Sequence, residues 1–149
     1  GESYVPYVVE TSIGLDRMFL TVLSHSFREE ELENGESRVV LKIPAVLAPI
    51  KAAILPLTKK DGMPEKAREI MKMLRLDFNC QYEEKDSIGK RYRRQDAIGT
   101  PFCITVDHQT LEDNTVTLRD RDTMIQERIS VEKLHSIIAE KVNIAKYLA

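Results

Sequence analysis

Apolar residues recur along this chain with two spacings, and the switches between them predict most of its elements. Tyr4-Val5-Pro6-Tyr7-Val8-Val9 is apolar and β-branched, which predicts a strand too hydrophobic for an exposed edge. Leu15, Met18, Phe19 and Val22 then fall three or four apart, one face of a helix. The acidic stretch Phe27–Ser37, with the turn signal Asn34-Gly35, reads as a solvated connector. Arg38 to Lys42 is strand-like, and Pro44 and Pro49 bracket a linker. This predicts a first unit over 1–43 and a second over 44–149, with the boundary near Pro44.

In the second unit strand and helix periods alternate. Ala52–Leu57 is an unbroken apolar run, expected of a strand covered on both faces. Asp61-Gly62-Met63-Pro64 reads as a loop, with Pro64 suited to a first helical turn. Ala67, Ile70, Met71 and Leu74 form one apolar stripe, while Arg68, Glu69, Lys72 and Arg75 face away. Phe78, Cys80 and Tyr82 alternate with polar residues. Ser87 to Ala97 is polar and basic, a short helix. Phe102, Ile104 and Val106 alternate, as do Val116 and Leu118, then Ile125 and Ile129. Ser130 can cap a last helix with core face Leu134, Ile137, Ile138 and Val142. The order β-α-β-α-β-β-β-α makes the fold class α/β: a mixed sheet with early parallel crossovers and later antiparallel hairpins.

Composition narrows the function. A formal net charge of −2 argues against coating nucleic acid through bulk charge, so any such partner needs a local patch. No apolar run approaches a membrane span, and the start lacks the regions of a signal peptide. Cys80 and Cys103 are isolated in strand-like segments, which predicts two buried thiols and no metal spacing. His25, His108 and His135 are scattered, without carboxylate or cysteine at ligand spacing.

Between the first strand and helix lies Glu10-Thr11-Ser12-Ile13-Gly14-Leu15-Asp16-Arg17. Small residues let backbone approach a ligand, a helix start offers free N–H groups, and arginine binds phosphate well. That points to a nucleotide or acyl-phosphate site. An ordinary strand–loop–helix with Thr11 or Ser12 as N-cap fits the spacing too. A second cluster, Lys85, Lys90, Arg91, Arg93 and Arg94 around Tyr92, suits RNA contact. It also fits a solvated helix face countered by Glu83, Glu84, Asp86 and Asp96.

Tyr4 to Leu23 resembles motif 3 of the class II aminoacyl-tRNA synthetases, in the form the glycyl-tRNA synthetases carry. Ile88 to Asp107, with Gly89-Lys90-Arg91-Tyr92-Arg93-Arg94-Gln95-Asp96 and Gly99-Thr100-Pro101, resembles their anticodon-binding domain. Two blocks in that family's order and separation are specific. The resemblance implies a five-stranded mixed sheet with three helices, preceded by a strand–helix end of the catalytic domain. It implies that Glu10, Thr11, Ser12, Ile13 and Gly14 line a glycine pocket, and that Gly14, Leu15, Asp16 and Arg17 meet ATP. The partners it implies are tRNA(Gly), glycine, and ATP with Mg2+ as substrates, in a cytoplasmic homodimer, with no membrane, DNA or bound metal. The other class II motifs are expected upstream, so this stretch is expected to be a C-terminal piece, inactive and without bound cofactor alone. The alternative is a non-catalytic relative using the fold for protein contacts.

For RNA the resemblance favours Arg91, Tyr92, Arg93 and Arg94. Glycine anticodons end in two cytosines, whose N4 amine suits a carboxylate and whose O2 and N3 suit an arginine. Glu112, Arg119 and Arg121 lie around the last hairpins, where the resemblance implies base-contacting residues, and are the candidate base readers. Glu112 is the first-choice acceptor and Arg121 the donor. A self-neutralising turn Arg119-Asp120-Arg121-Asp122 fits as well.

Overall fold

The computed structural model describes residues 1–32 and 35–148. Its centre is β3 (Ala52–Pro56), whose five residues are all buried, as an unbroken apolar run requires. β4 (Cys80–Tyr82) pairs parallel on one side of β3 and β5 (Phe102–Val106) parallel on the other. β6 (Thr115–Asp120) and β7 (Gln126–Ser130) then add antiparallel, giving the order β4-β3-β5-β6-β7. The chain leaves β3 toward β4 and returns past it to β5. Crossovers of one hand in opposite directions put the connecting helices on opposite faces. Accordingly α2 (Met63–Leu74) and the last helix, α5 (Val131–Lys141), bury Ala67, Ile70, Leu74, Leu134 and Ile138 against one face. α3 (Ile88–Ile98) alone lies against the other, with Ile88 and Tyr92 on Ala53, Leu55 and Cys103.

The five-stranded mixed sheet is the one expected, but its helices differ. A short helix, α4 (His108–Asp113), intervenes between β5 and β6, so four helices rather than three accompany the sheet among the described residues. Six residues are too few for a periodic stripe. Its signal is the capping box, in which Asp107 accepts from Thr110 N at 3.0 Å while Thr110 Oγ1 accepts from Asp107 N at 3.1 Å. A 3-10 turn, Ile144–Tyr147, follows α5.

The N-terminal part needs two corrections. Residues 1–14 have no regular secondary structure, and Tyr4, Val5, Tyr7, Val8 and Val9 are exposed where a buried strand was predicted. A lone extended segment cannot satisfy its own backbone, and no described strand pairs with it. The helix is present as α1 (Leu15–Ser26). The acidic stretch is not a connector: Phe27–Glu31 is a strand, β1, antiparallel to β2 (Ser37–Leu41), with Glu30 opposite Arg38. Val40 on β2 is fully buried, so β2 is a core strand that needs a partner, and ion pairs from Glu30 to Arg38 and Lys42 make the acidic partner tolerable. Of the Asn34-Gly35 signal, Asn34 lies outside the described residues.

Both cysteines are free. Burial pushes the Cys103 thiol up to about 12 and the half-buried Cys80 thiol up to about 11. Among the described residues no helix is long and apolar enough to cross a membrane, and no cluster of three or more His, Cys, Asp or Glu could hold a metal.

One ion pair ties α4 to the sheet edge. Arg128 on β7 donates to both Asp107 oxygens at 2.6 and 2.9 Å and to Thr115 Oγ1 at 2.6 Å. The Arg128 guanidinium, outweighing burial and helped by Thr110, holds the Asp107 carboxyl below the usual carboxylate range. The folded chain thus binds fewer protons there than the unfolded chain, so the contribution is full at neutral pH and is lost as pH falls below about 4. Asp107→Asn is expected to flatten the acid limb of a plot of urea midpoint against pH. An unchanged limb would place that titration elsewhere.

Candidate nucleic-acid interface

On the α3 side, Thr117 and Arg119 of β6 stand beside Gln126 and Arg128 of β7, because Cys103 pairs with Arg119, and Arg119 with Gln126. The alternation that buries Val116 and Leu118 on one face leaves these polar residues on the other. Where this polar strip meets α3 there is a hollow of about 390 Å³. Lys90, Tyr92 and Arg93 line it from α3, Arg119 and Gln126 from the strands, and Glu36 from the tip of the β1–β2 hairpin. Met124, in the β6–β7 turn at φ +59°, closes one end.

The predicted basic cluster separates into different roles. Lys90 is exposed and makes no hydrogen bond or ion pair among the described residues, while Arg93 is half-exposed and holds Glu36 and Asp96 only loosely, at 3.9 and 3.8 Å. Both are available to phosphate. Arg94 is already engaged, with Glu83 at 2.6 Å, Asp86 at 2.8 Å and the Lys85 carbonyl at 2.8 Å. Arg91 is a correction: it is 3% exposed and donates to the carbonyls of Pro56, Leu57 and Glu83. It joins α3 to the end of β3 and cannot reach RNA. Burial holds its guanidinium below the ordinary arginine value, against the pull of Glu83.

Tyr92 is half-buried, its hydroxyl 2.6 Å from Thr105 Oγ1 and its ring 4.8 Å beneath the Arg119 guanidinium. Arg119 makes a two-point pair with Asp96, at 2.7 and 3.0 Å. Burial disfavours its charge, but Asp96 overrides this and raises it above the ordinary value. Arg121 is buried as well, donating to the carbonyls of Gly99 at 2.8 Å and Ile43 at 2.9 Å, and to Asp122. Neither arginine is free to read a base directly. The proposed pairing of Glu112 with Arg121 also fails on distance. Glu112 is exposed on α4 and precedes β6, whereas Arg121 follows it, and a six-residue strand separates them by about 17–20 Å.

The other predicted stretch is open to solvent. Glu10 to Gly14 is exposed and irregular, and Gly14 is the N-cap of α1 with no side-chain cap bond, so neither Thr11 nor Ser12 caps it. Ser12, Ile13, Gly14 and Arg17 border an open depression with Met18, Thr21 and Val22. Leu15 and Asp16 occupy the first turn beside Arg17.

Residues 51–141 match the sequence profile of a family described as Anticodon binding domain. The chain belongs to that family. The anticodon-binding domain and the segment before it are also similar to curated glycine–tRNA ligases. The chain is 55% identical over 141 residues to that of Clostridium tetani (strain Massachusetts / E88), covering 95% of this chain and 30% of the relative. It is 51% identical over 142 residues to that of Borrelia hermsii (strain HS1 / DAH), covering 95% and 32%. The Chlorobaculum tepidum ligase is 55% identical over 141 residues, with 95% and 30% covered. The chain thus spans about 30% of the length of these relatives. Among solved structures, the RNA binding domain of threonyl-tRNA synthetase from Cryptosporidium parvum Iowa II has the same fold, with a TM-score of 0.61 at 24% identity. It covers 67% of this chain and 25% of that one.

Sequence reasoning missed three residues in and beneath this hollow. Gln126 and Met124 carry no motif, and only the strand register brings them to the hollow. Asp96 reads in sequence as a surface counter-charge, yet it is fully buried and central. Its signal was a carboxylate beside an apolar position in an otherwise basic helix.

Proposed function

We propose that the chain binds the anticodon loop of tRNA(Gly) in the hollow between α3 and β6–β7, as the C-terminal part of a glycine–tRNA ligase. The observation that carries this is the juxtaposition of loosely held cations with directional polar groups in one concave site of an anticodon-binding domain. Lys90 and Arg93 supply charge for phosphates. Gln126, with both an amide donor and acceptor, and the Glu36 carboxylate supply hydrogen-bond direction for a base edge. These two replace Glu112 and Arg121 as base readers. In the whole ligase, Arg17 at the start of α1 would meet the ATP phosphates, with Glu10 to Gly14 around glycine. ATP with Mg2+ and glycine are then substrates supplied to a dimeric cytoplasmic enzyme. The open depression at Arg17 leaves room for other parts of that enzyme to complete such a site.

The test is titration of a glycine anticodon stem-loop beside one with a cytosine replaced, over a salt series. The expected result is tighter binding of the first loop. Lys90→Ala or Arg93→Ala should weaken both loops alike and lower the salt slope by about one. Gln126→Ala should cost the glycine loop about 1–3 kcal/mol and the altered loop little. Equal binding of both loops by the unmodified chain would sink the assignment of this hollow to anticodon reading.

A further inference from the structure

Beside the hollow lies a buried charge relay whose first members are outside the family-matched segment. Glu30 on β1 accepts from Arg38 Nε and Nη2 at 2.8 and 2.6 Å. Arg38 Nη1 donates to Asp96 Oδ2 at 3.1 Å and to the Arg121 carbonyl at 3.0 Å. Asp96 in turn accepts the two-point pair from Arg119, which lies over the Tyr92 ring. Lys42 also pairs with Glu30 at the outer end, and Arg38, Asp96 and Arg119 are at most 3% exposed. The hollow's floor is the last link. Arg38 itself does not line the hollow.

We propose that Arg38, acting through Asp96, is a positioning residue for the RNA-facing hollow: it keeps Arg119 over the Tyr92 ring and so fixes the surface a base meets. This rests on the function proposed above. The geometry gives the reason. Asp96 Oδ2 is shared between Arg38 and Arg119, so the carboxylate plane is set by pulls from two sides. Without Arg38 only Arg119 and the loosely placed Arg93 remain on it, and the carboxylate can swing, taking the Arg119 fork with it. A preorganised floor favours the one base whose edge fits its lining and loses that preference when it moves. Because Arg38 touches no solvent-facing phosphate site, its effect on binding must be independent of salt.

The test uses the 149-residue chain with Arg38→Gln, compared with Arg38→Lys and Glu30→Gln. Two readouts are needed: NMR signals of the Arg119 Nε–H and the Tyr92 ring, assigned with Tyr92→Phe, and affinity for the glycine and cytosine-replaced stem-loops over a salt series. Arg38→Gln is expected to shift both signals and to reduce the ratio of the two affinities about fivefold with an unchanged salt slope. Arg38→Lys should recover part of the ratio, since an ammonium can still reach Asp96. Glu30→Gln, which leaves the buried pair intact, should act in the same direction more weakly and keeps the test open if Arg38→Gln fails to fold. Unmoved Arg119 and Tyr92 signals would overturn the relay, and moved signals with an unchanged ratio would overturn its role in RNA selection. An unmodified chain that holds both loops alike would overturn the proposed function, and this inference with it, before any variant is made.

Discussion

Asp96→Ala is expected to destabilise the chain by about 3–5 kcal/mol, measured by urea unfolding at neutral pH. Asp96 is fully buried and is the shared acceptor of Arg38 and Arg119, both nearly inaccessible to water. Removing a partner from a buried pair leaves charge that solvent cannot compensate, which costs more than the pair contributed. The loss is a large part of the roughly 5–15 kcal/mol that holds a domain folded. Glu65→Ala, which strips an exposed carboxylate from the exposed Arg68, should cost no more than about 1 kcal/mol. Replacing Arg38, Asp96 and Arg119 together by apolar residues should cost less than Asp96→Ala alone. A loss below about 1 kcal/mol for Asp96→Ala would mean that water reaches these guanidiniums.

Gly99→Ala is expected to cost about 2–4 kcal/mol through two additive causes. Gly99 ends α3 at φ +83°, where an L side chain is strained. A Cβ there would also sit 2.9 Å from Ile43 Cγ2 and 3.1 Å from the Leu41 carbonyl, against the β2 strand end. The backbone oxygen cannot yield without shifting the hairpin. Gly62, at φ +80° before α2 with nothing within 4 Å, is the internal control. Gly62→Ala should show the conformational part alone, about 1–2 kcal/mol. Equal losses at the two positions in thermal or urea unfolding would show that the hairpin does not press on α3.

What the sequence disclosed follows from the kind of signal each element carries. β3, β5 and β6, and the helices α2 and α5, were legible because burial on a defined face imposes a period on their apolar residues. β1 was not, because its position is fixed by what Val40 and Arg38 of β2 need across the ladder. Nothing in the run of glutamates encodes this. α4 was hidden by its brevity, although Asp107 and Thr110 carried its cap. In the candidate site, composition found the basic helix but could not rank its members. Arg91, Arg94, Lys90 and Arg93 read alike in sequence, and only the location of the Pro56, Leu57 and Glu83 carbonyls makes one of them a strut. Arg119 and Arg121 look like an exposed turn until the register turns one inward onto Asp96 and the other onto Gly99 and Ile43.

The seam between the β1–β2 hairpin and α3 bears on how such a domain can be inherited. The family profile begins at residue 51, yet Asp96, Gly99 and Arg121 each meet a group that precedes it: Arg38, Leu41 and Ile43. A recombination event that moved residues 51–141 into another enzyme would carry a buried carboxylate without one of its cations and an arginine without one of its carbonyls. The smallest unit that travels with its interior charges matched starts at Phe27. Lineages that exchanged anticodon-binding domains of this design would therefore show their crossover points in α1 or earlier, not in the proline-bracketed linker.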